Sequence, residues 1–353
     1  MEIFAEITGL KYTPLLCKNL ENYRLKQFER ALSKKANFIL EIDNENKMAV
    51  SWWVSPKRTR SYPYARVYDT LNFTGKKITI IPVIKDEGKD GDRDFLQWDT
   101  ISLMSLLGVY VIISYYSDAS KNPRYKNKIT KQRFDIGHIV NEVHKLLSYQ
   151  SDALHWNLSQ IDNVYEIARK GLECYEHISK KLEVQMHSKE SALKRINELH
   201  KGKERFMELS RRLAQKAQRR ESITTQPKEH LTGIKAMITI KNYLGGYYYF
   251  TCDEIEIHRN EIYLIEGKHS KIAKLPSLGD IKDGLLKMVL FTNLKNVTIG
   301  TQRYSPIPIL KLTTEHKLNM YSLSIAQRKL LEELKKEAIK NEFRIKINEI
   351  FFV

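Results

Sequence analysis

Residues Asp253 to Lys268, DEIEIHRNEIYLIEGK, constrain the fold more than any other stretch of the chain. Asp253, Ile255 and Ile257 alternate with Glu254, Glu256 and His258, the period of a strand. His258, Arg259 and Asn260 make a polar turn, and Ile262, Tyr263, Leu264 and Ile265 form a short apolar strand after it. The spacing predicts a β-hairpin that delivers Glu266, Gly267 and Lys268 at the end of its second strand. Two acidic groups and an amine then share the edge of a sheet. Carboxylates on rigid strands can hold a hard divalent cation such as Mg²⁺ through oxygen. A lysine beside them can orient or deprotonate a water, or stabilise charge developing on a phosphate. That combination suits metal-assisted phosphodiester hydrolysis.

Composition sharpens the expectation of a polyanionic partner. The chain has 353 residues and a formal net charge of +17, with 42% hydrophobic residues, enough for a folded core. Three cysteines, Cys17, Cys174 and Cys252, are too few and too far apart for a disulfide framework or a CxxC zinc site, which fits a reducing cytoplasm. No signal-peptide pattern opens the chain, and no apolar run approaches the roughly 18 residues of a membrane span.

The chain reads as mixed α/β (α+β) in three parts. Residues 1–120 form an N-terminal α/β domain, with a basic helix over Leu20–Ala36 and strands over Phe38–Ile42, Ala49–Val54, Lys76–Ile84 and Val109–Tyr116. Residues 121–225 carry a linker and long helices: Ser117–Lys131 reads as a polar, basic loop, and apolar residues then recur at helical spacing from Ile161 to Leu213. Arg211, Arg212, Lys216, Arg219 and Arg220 give the last helix a basic end. Residues 226–353 form a C-terminal α/β domain, with strands around Glu266, an amphipathic helix, further strands over NVTIGTQRY and PILKLT, and a final helix over Ile325–Asn341.

The order hairpin, acidic-x-lysine, helix, strand resembles the core of the PD-(D/E)xK nuclease superfamily, typified by type II restriction endonucleases. Asp253 takes the place of the motif's aspartate, and Glu266 and Lys268 the places of its acidic-x-lysine pair. Cys252 stands where the pattern's name has proline. The resemblance runs from about Asp253 to Thr298 and includes HSKIAKLPSLGDIKDGLLKMVLFTNL. It implies a restriction-endonuclease-like core in 226–353. Catalytic residues would be Asp253, Glu266 and Lys268, with magnesium on Asp253, Glu266 and the Gly267 carbonyl. It also implies double-stranded DNA as substrate, cleavage at a short specific sequence, and a cognate methyltransferase in the same system; a homodimer is compatible with it. A second D…ExK set, Asp69, Glu87 and Lys89, lies in the N-terminal region, where DEGKDGDRD also reads as plain turn chemistry.

DNA contact is expected of Lys57, Arg58, Arg60 and Arg66, which SWWVSPKRTRSYPYARVY interleaves with Trp52, Trp53, Tyr62 and Tyr64, and of Lys271, Lys274 and Arg303. A basic surface loop satisfies the same pattern. Other nuclease designs fit less well: no ββα context surrounds the histidines, and the Gly108-Val109-Tyr110 triplet has no second half. No GxxxxGK[ST] loop supports ATP-driven movement. Two further readings stay open, a DNA-binding module or regulator with a non-catalytic nuclease-like core, and an RNA nuclease.

Overall fold

The computed structural model describes residues 1–56, 62–200, 234–242, 247–271, 275–314 and 323–353. Helices and sheets interleave in a mixed α/β arrangement. The chain divides into two compact units: one comprises Met1–Asn19, Tyr64–Asn72 and Arg211–Val353, the other Leu20–Pro63 and Phe73–Ser210. The sequence boundaries near 120 and 225 therefore differ from the observed grouping. The cause is nonlocal: the strand Glu2–Ile7 pairs in parallel with Ile234–Asn242, Ile3 opposite Ile238 and Ala5 opposite Ile240.

In the unit that holds the C-terminal third, the predicted hairpin is present and extends beyond the sequence reading. Strand Tyr247–His258 runs antiparallel to Glu261–Ser270, with Glu254 opposite Ile265 and His258 opposite Glu261. Arg259 adopts a left-handed φ of 54° in the two-residue turn, as tight hairpin turns require. Strand Ile234–Asn242 lies antiparallel on the far side of Tyr247–His258, completing a meander. Helix Leu278–Phe291 then leads to Lys295–Ile299 and the long strand Gln302–Thr314, whose second part lies parallel to Glu261–Ser270 with Glu266 opposite Leu310. Lys295–Ile299 pairs with both Glu2–Ile7 and Gln302–Thr314, so the ladder of six strands runs full circle. Ile3, Ile238, Leu264, Ile265, Leu285, Phe291 and Leu310 are all buried in this unit.

Ser277 caps the helix, its hydroxyl accepting from the Asp280 N–H. The helix is packed on nearly every side from Ile281 to Phe291. Gly284 is what lets it approach: a Cβ there would fall 2.6 Å from Leu310 Cδ1 and 3.3 Å from Lys268 Cε. The final helix, Ile325–Lys340, carries the buried Glu337, whose carboxylate accepts from Tyr68 Oη, Tyr12 Oη and the backbone N–H groups of Leu15 and Leu16. Burial raises its pKa. This single side chain ties the N-terminal segment and the Tyr64–Asn72 segment to the C-terminal helix.

The other unit is built on a five-stranded sheet in the order Asn22–Arg24, Asn37–Glu41, Lys47–Trp52, Lys76–Pro82, Val109–Ser114. Only Asn37–Glu41 with Lys47–Trp52 is antiparallel. Helix Trp98–Leu106 is buried along its length. On the edge strand, Asn157 bridges the Val111 N–H and the Val109 carbonyl, and Trp156 Nε1 donates to the Val111 carbonyl. The basic helix expected over Leu20–Ala36 is only Phe28–Lys34, preceded by a short strand and a 3-10 turn. Ser117–Lys131, read as a loop, contributes two paired strands, Tyr116–Lys121 and Ile129–Phe134. The polar alternation fits because Lys121, Lys131 and Arg133 are exposed while Ala119, Ile129 and Phe134 are buried. Helices Ile136–Leu147, Ala153–Asp162, Val164–Leu182 and Lys189–His200 occupy the expected helical region. The expected basic helix end from Arg211 to Arg220 lies outside the described residues. No helix among the described residues is long and apolar enough to cross a membrane.

Candidate functional site

The hairpin register sets Asp253 and Glu266 on neighbouring strands, because the adjacent pair Glu254–Ile265 is directly opposed. Asp253 Oδ2 accepts a 2.9 Å hydrogen bond from the Gly267 N–H. Glu266 sits on the buried face at 1% exposure. Its Oε1 lies 2.9 Å from Lys268 Nζ and its Oε2 2.7 Å from Lys287 Nζ. Lys268 also donates to Asp283 Oδ2 at 2.5 Å. The three residues singled out from sequence as catalytic, Asp253, Glu266 and Lys268, thus share one cluster.

Asp283 and Lys287 complete it, and sequence reading passed over both. They are four residues apart on the Leu278–Phe291 helix and so share a face. Lys287 within the apolar run Leu285–Phe291, with Asp283 four residues before it at the spacing of an ion pair, is the signal that could have found them. Gly284, between them, brings that face onto the strand carrying Lys268.

Charge governs the cluster. Three carboxylates meet two ammonium groups, a formal excess of one negative charge in a largely buried place. Burial pushes the Glu266 carboxyl up, but Lys268 and Lys287 outweigh it and hold its pKa down at about 2. Burial alone would lower both lysines; Glu266 and Asp283 hold Lys268 above its ordinary value, and Glu266 and Asp253 do the same for Lys287. Burial raises Asp283 against the pull of Lys268. At neutral pH Glu266 is ionised and both amines are protonated. Lys268 therefore serves as a donor and a positive charge, and a proton-abstracting role is foreign to this state.

Among the described residues no group of three or more His, Cys, Asp or Glu side chains is arranged to hold a metal ion. Magnesium does not demand such a group, since it usually keeps several waters and uses one or two carboxylates. Asp253 and Glu266 are the hard oxygen donors that ion takes, and in the structure Lys268 and Lys287 face the two Glu266 oxygens. Gly267, the third expected ligand, is buried beside them, and its N–H is engaged by Asp253.

The second D…ExK set falls across the two units. Asp69 belongs with the C-terminal third, where its carboxylate accepts from Lys282 Nζ at 2.5 Å and from the Lys18 N–H. Glu87 and Lys89 belong to the other unit. Glu87 there is flanked by Lys85 at 2.5 Å and Lys128 at 3.0 Å, and Gly88 turns the backbone at φ 91°.

Of the residues expected to meet DNA, Lys57, Arg58, Arg60 and Lys274 lie outside the described residues. Lys271 and Arg303 are exposed, and Arg66 is half-buried on helix Tyr62–Tyr68. Trp53 and Tyr64, read as stacking aromatics, are core residues, while Trp52 remains half-buried. No protein-family model, curated protein or solved structure matches this chain.

Proposed function

We propose that the protein is a magnesium-dependent, sequence-specific DNA endonuclease of the type II restriction kind. The observation that carries this reading is the Asp253–Glu266–Lys268 cluster at the end of a hairpin, followed by a helix and a parallel strand. Asp253 and Glu266 hold the metal, with Gly267 contributing its carbonyl. When bound, magnesium supplies Lewis acidity toward the scissile phosphate and lowers the proton affinity of a coordinated water. Protonated Lys268 orients the water and offsets charge that builds on the phosphate, and Asp283 fixes the ammonium in place. Lys287 keeps Glu266 ionised. The surplus of basic residues serves the DNA backbone, and a methyltransferase of the same cytoplasmic system protects the host's sites.

The test is incubation of the protein with unmethylated phage DNA and Mg²⁺. Discrete fragments support the assignment; intact DNA across a range of Mg²⁺ and Mn²⁺ concentrations overturns it. A second reading, a DNA-binding protein with a non-catalytic nuclease-like core, draws on one observation: both Glu266 oxygens already carry ammonium partners. Binding without cleavage would select it.

A further inference from the structure

A cleft of about 680 Å³ opens in the unit built on the five-stranded sheet, lined among others by Trp52, Phe134, Leu32, Arg30, Lys131 and Arg133. It is of the size that small-molecule and nucleotide sites occupy, roughly 300–1,000 Å³. Its floor is apolar and its rim basic. Phe134 is backed by Tyr116, the rings stacked with centroids 4.5 Å apart. Trp52 meets Phe134 edge to face at 6.1 Å and 88°. The Trp52 indole N–H donates to the Lys35 carbonyl at 2.7 Å. Phe134 is buried at 7% exposure and backs the half-buried Trp52, so the ring surface a planar group can reach is chiefly that of Trp52.

The basic rim is also built rather than incidental. The hairpin carrying it has register irregularities between Thr130 and Arg133 and between Arg133 and Phe134. Lys131 sits within that interval at φ 51°, a conformation a lysine seldom takes. Such irregularities re-aim side chains. Gln132 fixes the strand, donating to the Asp86 carbonyl and accepting from Tyr175 Oη. Arg133 pairs with Asp118. Among the described residues neither Arg30 nor Lys131 has an ion-pair partner, and both are exposed. Among the described residues Glu29 is the acidic side chain of the lining.

We propose that this cleft binds an unpaired nucleotide of a single DNA strand. The base packs against Trp52, with Phe134 behind it, and Arg30 and Lys131 take the flanking phosphates. Aromatic rings accept any base face, and cations follow the backbone. A paired base offers no such face. The inference does not depend on the cleavage reading, because it concerns binding by a different set of residues.

The experiment titrates the intact protein, without divalent metal, with a short fluorescein-labelled oligodeoxythymidylate and follows anisotropy together with tryptophan emission. The expected result is saturable binding with quenched emission, and loss of that quench in Trp52→Phe. Trp52→Ala should weaken binding roughly fivefold or more, the lower end of what one lost base stack costs. Arg30→Gln and Lys131→Asn, at exposed positions, keep the test valid if Trp52→Ala fails to fold; asparagine tolerates the left-handed backbone. Each should weaken binding and flatten the salt slope by roughly 0.7. Unchanged affinity in both rim variants overturns the proposal. So does an equal quench from a random blunt duplex. Binding of free thymidine monophosphate as tight as that of the oligonucleotide would assign the cleft to a free nucleotide and overturn the strand assignment. Catalytic failure of the protein on phage DNA would leave these readouts untouched.

Discussion

Asp253 accepts a hydrogen bond from the backbone N–H of Gly267, the residue that separates Glu266 from Lys268. One carboxylate of the candidate site is thereby locked to the strand that carries the other carboxylate and the amine. Backbone register sets the three residues on neighbouring strands, and this hydrogen bond fixes the Asp253 rotamer among them.

That lock makes Asp253→Asn the cleanest test of catalysis. Asparagine keeps the volume and an oxygen for the Gly267 N–H, and removes only the charge. Mg²⁺-dependent cleavage should fall by a factor of about a hundred or more, as expected when one charged group at a catalytic centre is lost, while the melting temperature moves little. Glu87→Ala should cleave at near the wild-type rate, because Glu87 pairs with Lys85 and Lys128 in the other unit. The opposite pattern of activities would move the active site to Glu87.

Acid should weaken the fold through Glu266. Its folded pKa of about 2 lies below the usual 4.5, so ionised Glu266 favours the folded state. The contribution is full above about pH 4.5 and is lost as pH falls toward 2. The gap corresponds to about 3 kcal/mol. Urea titrations between those pH values should show the loss, and Glu266→Gln should show a flatter pH dependence from a lower neutral-pH stability. A variant curve parallel to wild type would contradict the assignment.

Gly284→Ala separates packing from chemistry. Alanine favours helix by about 1 kcal/mol over glycine, but here its Cβ meets Leu310 and Lys268. Overpacking of this kind costs about 1–3 kcal/mol. Net stability should therefore stay level or fall by up to about 2 kcal/mol, and cleavage should fall further than stability because Lys268 is displaced. Differential scanning calorimetry and a cleavage time course, read together, check this; a stabilised and fully active variant would refute it.

Glu337→Ala should destabilise by about 3 kcal/mol or more, since it strands two tyrosine hydroxyls and two backbone N–H groups that lose a charged acceptor. Chemical denaturation measures it. A loss below about 1 kcal/mol would show that water replaces the carboxylate without cost.

The hairpin was legible because alternation, turn and apolar run all lie within sixteen neighbouring residues, from Asp253 to Lys268. The following helix was legible from its own apolar spacing, but NVTIGTQRY, read as one strand, turns at Gly300 and is shared between Lys295–Ile299 and Gln302–Thr314, the latter continuing through PILKLT. Asp283 and Lys287 were not legible, because their meaning comes from Glu266 and Lys268 across the helix–sheet interface. Glu254 alternates with Asp253 in the sequence and is buried against Lys311 at 3.2 Å, a partner the alternation does not name; a strand packed on both faces gives no simple in-out pattern. The polar strands between Tyr116 and Phe134 lacked the apolar signal that marks a strand, and the pairing of Glu2–Ile7 with Ile234–Asn242 spans a separation no local pattern can report.

That last pairing has a consequence for how the chain is made. The strand Glu2–Ile7 is held in a sheet whose other members are synthesised more than two hundred residues later. Until then it is an apolar β-segment without its native neighbours, in the slow, aggregation-exposed regime of nonlocal strand pairing. A fragment starting at residue 226 would carry Asp253, Glu266, Lys268 and Lys287 and yet leave a gap in the six-strand ring between Ile234–Asn242 and Lys295–Ile299. The ring around the candidate site thus depends on six residues more than two hundred positions earlier in the chain, and a synthetic peptide of that segment, added to the fragment, is the piece that would close it.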